Sequence, residues 1–124
     1  MIWLSVAIGG ALGAMGRYSV TAHLFPVMAN RFPMGTLCVN LLGSLLIGVC
    51  YVLIIEKGVL APEWRNVLMA GFLGAFTTFS TFALDAVTLW QNGHSAIALT
   101  YVVANVAGCL MAAAAGLYLT TKLI

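Results

Sequence analysis

Charge is what this sequence has least of. Its 124 residues include five Lys or Arg and three Asp or Glu, so only 6% are charged. A water-soluble domain carries about 25%. The shortage removes the solvated surface such a domain needs, and a 63% hydrophobic composition cannot be hidden in a core of this size. A net charge of +2 at scattered positions also excludes a nucleic-acid-binding face. Cysteine is scarce as well. Cys38, Cys50 and Cys109 are odd in number, lie in apolar stretches and show no CxxC spacing, so they read as packed thiols rather than a disulfide or metal set. Catalytic patterns are missing too: there is no HExxH, P-loop, dinucleotide fingerprint or Ser/His/Asp grouping. The sequence points away from an enzyme. No Asp or Glu is expected in the middle of an apolar run, which removes the obvious proton carrier of a pump.

Long apolar runs are what the sequence does have. A helix needs about 20 apolar residues to cross the hydrocarbon. Residues 34–55 are free of charge over 22 positions, 67–84 over 18 and 95–121 over 27. Residues 2–22 are apolar apart from Arg17, and with no basic segment before them they read as a retained helix rather than a signal peptide. The expectation is an all-α integral membrane protein in one domain, with four transmembrane helices at 2–22, 34–55, 66–85 and 95–121. Short loops join them. They hold Pro26, Asn30 and Arg31, then Pro62, then Gln91 to Gly93, with His23 and His94 also read as loop residues.

Four spans put both termini on one side. That side holds Lys57, Arg65 and Lys122, and the other holds Arg31 and Arg17. Orientation follows the Lys/Arg bias of short loops, and three against two is little instruction. Either one or two residues fix a single orientation, or the chain inserts both ways and opposite copies pair as an antiparallel homodimer. Small residues recur at helix-contact spacing in Gly9, Gly13 and Gly16, and again in Gly108, Ala112 and Gly116.

The unusual segment is 71–82, GFLGAFTTFSTF. Thr77, Thr78, Ser80 and Thr81 put four hydroxyls in five positions. Either the backbone of the preceding turn satisfies them, or the helix breaks near Gly74 and the Thr pair. Lipid cannot satisfy the carbonyls and amides freed by a break, so such backbone must line a cavity or hold an ion. Phe79 and Phe82, three apart, share a helix face. The edge of an aromatic ring is positive and can face an anion without carrying a charge; packing against lipid or core is the plainer role. Thr36 and Asn40 lie four apart in the second span, as do Tyr101, Asn105 and Cys109 in the fourth. They form polar stripes that either flank a path or bond helix to helix. Arg17 is the one basic residue near membrane depth, a functional candidate unless it snorkels to the surface.

Three of these segments resemble the Fluc (CrcB) fluoride channel family. Residues 13–18, GAMGRY, resemble the GxxxR-Y end of its first helix. Residues 35–43, GTLCVNLLG, resemble its GTLxVNxxG motif, and 71–82 its GxxGxxTTFSTF signature. The resemblance covers the chain in order and spacing. It implies a broken third helix and an antiparallel, dual-topology homodimer with two fluoride pores in a bacterial inner membrane. It also implies passive fluoride efflux that protects against toxicity. A structural sodium ion at the dimer centre would be held by the Gly74 and Thr77 backbone carbonyls. Phe79, Phe82 and Asn40 would line the pores, Ser80 and Thr81 would join a hydroxyl track with Thr36 and Tyr101, and Arg17 would make the vestibule electropositive. Asn105 and Cys109 stand where the family pattern has serines. Two rivals stand beside this reading. A small multidrug transporter needs a membrane-embedded carboxylate, and a membrane scaffold leaves the hydroxyl–phenylalanine run without a purpose.

Overall fold

A computed structural model describes residues 1–26 and 31–124. Asn30 of the first loop lies outside the described residues. Helix α1, Ile2–Ser19, runs on as a π turn, Val20–Leu24. Helix α2, Met34–Tyr51, does the same through Val52–Glu56. The third span begins as a π-wound segment, Arg65–Leu73, and tightens into one α turn, α3, Gly74–Phe76. Thr77 and Thr78 are then extended (ψ 159° and 115°), and α4 follows at Phe79–Gln91. Helix α5 is Ser95–Leu123. Gly58 and Gly93 take positive φ at the two tight turns, which favours glycine there.

Among the described residues, three helical stretches are long and apolar enough to cross a membrane: Met34–Glu56, Arg65–Gln91 and Ser95–Leu123, of 23, 27 and 29 residues. At 1.5 Å per residue each exceeds the ~30 Å of hydrocarbon. The expected first span is not among them, because Arg17 and four glycines dilute its apolar content; α1 is a fourth helix packed along the others. The outer surface is apolar. Leu84, Val87, Leu99, Val103, Leu110 and Met111 are all exposed, while Thr36, Asn40 and Asn105 are buried. Lipid accounts for that inversion. The chain is a multi-pass membrane protein.

Two expected boundaries change. The third span was expected to end at Asp85, yet the helix runs on to Gln91. Asp85 is therefore a half-buried carboxylate within a membrane-length helix, contrary to the expectation that no carboxylate lies mid-span. It does not end the helix because Thr36 Oγ1 and Tyr101 OH donate to its Oδ2, at 3.3 and 3.0 Å. His23 was read as a loop residue. It sits in the π turn, with its ring edge-on to Tyr18 at 5.8 Å.

The break divides the third span between two partners. Its first half, 65–76, packs on α1, and α4 packs on α5, which in turn lies along α2. Small residues allow the closest approaches. A Cβ on Gly9 or Gly13 would strike the carbonyls of Val67 or Phe72. One on Gly48 or Gly116 would strike those of Ala113 or Leu45.

Candidate functional site: a groove at the helix break

Interrupting a helix strands its last carbonyls and the first amides of the next segment. Here the side chain of Asn40, reaching from α2, takes up both polar groups of Thr78. The Thr78 amide donates to Asn40 Oδ1 at 2.8 Å, and Asn40 Nδ2 donates to the Thr78 carbonyl at 3.1 Å. The other Nδ2 hydrogen goes to Asn105 Oδ1 of α5 at 3.1 Å. Asn105 in turn donates to the Tyr101 carbonyl at 3.1 Å. Three spans thus meet through two amides. Thr78 also caps α4: its Oγ1 accepts from the Thr81 amide at 3.2 Å and donates to the Thr81 hydroxyl at 3.1 Å. Thr77 Oγ1 turns back to the Leu73 carbonyl at 2.9 Å.

The opposite end of the break is held differently. The Thr78 amide that would close a turn on the Gly74 carbonyl is given to Asn40 instead. The Ala75 carbonyl accepts from Arg17 Nε at 3.3 Å. Gly74 itself is exposed on the surface of the chain.

An open groove of about 440 Å³ runs beside this junction. Asn40, Thr77, Thr78, Phe79, Phe82, Asn105 and Cys109 all line it, with Ser44 and a surround of aliphatic side chains. No lining residue is charged. The Phe79 and Phe82 rings meet edge to face, with centroids 5.4 Å apart. Phe79 is 76% exposed and Phe82 only 7%. The shared helix face thus holds one ring open to the surroundings and one packed against Tyr101, at 5.3 Å. Thr78, Phe82 and Asp85 fall at helical spacing on α4, so polar groups continue from the groove to the Thr36–Asp85–Tyr101 cluster.

Residues 4–117 match the family model described as CrcB-like protein, Camphor Resistance (CrcB). A protein of Saccharophagus degradans named fluoride-specific ion channel FluC is 56% identical over 124 residues, covering 100% of this chain and 92% of the relative. One of the same name from Hahella chejuensis is 48% identical over 119 residues, 96% of this chain and 94% of the relative. A third, from Rhizobium etli, is 41% identical over 121 residues, 98% of this chain and 97% of the relative. The chain belongs to the CrcB family.

In this CrcB chain most of the residues singled out from sequence come together, but not all at one place. Asn40, Asn105, Phe79 and Phe82 line the groove. Thr81 stands beside it through Thr78, while Thr36 and Tyr101 sit with Asp85. Ser80 is exposed and outside the groove lining, and Arg17 is at the break's other face. Sequence reasoning missed two members. Thr78 carries the junction through its backbone. Asp85 lies seven residues beyond Thr78, at helical spacing that the sequence carries, but a third span bounded at 85 leaves it at a helix end. Among the described residues there is no cluster of His, Cys, Asp or Glu able to hold a metal. A cation here would rely on the carbonyl oxygens freed by the break, a donor type that suits a hard ion.

Proposed function

We propose that the chain is one subunit of a channel that passes fluoride passively out of the bacterial cytoplasm, across the inner membrane, and so limits fluoride toxicity. One observation carries the reading: an uncharged groove at a helix break, with two phenylalanine rings edge to face beside a pair of interlocked amides. Membership of the CrcB family and the names of its relatives support fluoride as the ion. Fluoride is small and holds water tightly. A pore that conducts it must replace that water with several weak donors, because one strong site would trap the ion. Ring edges, the Ser44 hydroxyl and the second Asn105 amide hydrogen are such donors. Both Asn40 amide hydrogens are already committed to Thr78 and Asn105, so Asn40 acts by shaping the path. Thr81 extends the hydroxyl track and Ser80 serves at its outer edge, while Thr36 and Tyr101, whose hydroxyl hydrogens go to Asp85, shape the path as Asn40 does.

The functional unit in this proposal is an antiparallel, dual-topology homodimer with two pores. In it the carbonyls of Gly74 and Thr77 meet the same pair from a second chain around a structural sodium ion; the exposure of Gly74 supports this. These residues supply four oxygens without a carboxylate, which fits sodium.

The test is fluoride efflux from liposomes holding purified protein, read with a fluoride electrode and compared with chloride. Efflux no faster than from protein-free liposomes would sink the proposal. Asp85 allows a second reading, a carboxylate-based proton-coupled exchanger. Fluoride efflux with no accompanying proton movement, read with a pH electrode beside the fluoride electrode, separates the two.

A further inference from the structure

Gly9, Gly13 and Arg17 follow one another at four-residue steps along α1. The two glycines lie against the backbone of residues 67 and 72, and Gly16 lies against the Phe76 ring, 3.4 Å from where its Cβ would be. This stripe delivers Arg17 to the end of the first half of the third span. There its Nε donates to the Ala75 carbonyl. Ala75 belongs to the last turn before the break. Its usual helical partner would be the amide of Phe79, which lies beyond the extended Thr77–Thr78 pair. A guanidinium at a helix C-terminus also meets the negative end of the helix dipole.

From this geometry we infer that Arg17 is a positioning residue, pinning the carboxyl end of the 65–76 segment through its Nε hydrogen bond. The role differs from supplying positive charge to a vestibule, and the two are separable by chemistry. Glutamine carries its Nε2 donor the same number of bonds from Cα as arginine carries Nε, but has no charge. Lysine keeps the charge and has a methylene at that position. Positioning therefore ranks Arg17→Gln above Arg17→Lys, and a field role ranks them the other way.

Two measurements decide it. The first is hydrogen exchange of the 74–82 amides in the purified full-length protein, with the α5 amides as the internal reference. This arm does not depend on the fluoride reading. Arg17→Lys should speed exchange at 74–82 by roughly tenfold, the loss of about one hydrogen bond, and Arg17→Gln by less than half that factor. The second is fluoride efflux, which rests on the proposed channel function and should fall in the order Arg, Gln, Lys. Exchange at 74–82 unchanged in Arg17→Lys would overturn the inference. Efflux of Arg17→Lys equal to or above Arg17→Gln would also overturn it. So would failure of both variants to assemble on size exclusion, since a neutral donor at the same reach should preserve the fold. A wild-type protein without efflux but with the expected exchange ranking would remove the channel reading and leave Arg17 in its place.

Discussion

Asn40 is the residue on which the junction most depends. Its amide replaces the helical partners that Thr78 loses and ties both to Asn105. Among the described residues no buried side-chain nitrogen or oxygen lacks a partner, so there is no slack to absorb its removal. Asn40→Leu would leave the Thr78 amide, the Thr78 carbonyl and Asn105 Oδ1 unpaired. The buried Asn105 oxygen left unpaired costs roughly 1–3 kcal/mol, and the half-buried Thr78 groups add less. The expected outcome is a much lower thermal midpoint in detergent and a loss of assembled protein. A midpoint within a degree of wild type would show that the bridge is dispensable. At this scale the sequence was only half legible. The polar stripes of Asn40 and Asn105 were visible from their spacing. Their common partner was not, because nothing in the chain says which turn will open. Asp85 was misplaced for a related reason: whether a charge ends a span depends on donors from other helices, here Thr36 and Tyr101.

The elements are held by close backbone approach where side chains are absent. Gly13 and Gly116 sit where a Cβ would strike a carbonyl on the neighbouring segment, and backbone cannot rotate aside as a side chain can. Gly10, three residues before Gly13 on the same helix, has nothing nearer than the Gly71 carbonyl at 3.9 Å. Gly13→Ala and Gly116→Ala should each destabilise by about 1–3 kcal/mol, the scale of overpacking, while Gly10→Ala should be close to neutral. Thermal unfolding of the three variants in one detergent checks this. Equal shifts for all three would contradict the packing account. The small-xxx-small spacing was plain in the sequence, but which helices it joined was not. Both series face inward, to residues 65–76 and to α2. The break was also anticipated near the Thr pair, because glycine and crowded hydroxyls weaken a helix there. Its consequence, one span shared between α1 and α5, follows only from tertiary packing.

For the whole molecule, the near balance of Lys57, Arg65 and Lys122 against Arg17 and Arg31 motivates dual insertion. Reporter fusions at the C-terminus should find it on both sides of the membrane. A population wholly on one side would defeat the antiparallel dimer, and with it the sodium site at the dimer centre. If that site exists, exchanging sodium for a larger cation should weaken the dimer on size exclusion, and an unaffected dimer would remove it from the account.

In the proposed channel the edge-to-face phenylalanine pair helps fluoride shed its water. Phe79→Ile and Phe82→Ile keep an apolar side chain but delete the aromatic edge. Phe82 packs on Tyr101, so size exclusion must first confirm that each variant assembles. Fluoride efflux per unit of reconstituted protein is the measurement. Wild type should pass fluoride and each variant should slow it by up to roughly tenfold, the scale of one aromatic contact of about 0.5–1.5 kcal/mol. Assembled variants with wild-type efflux would contradict it.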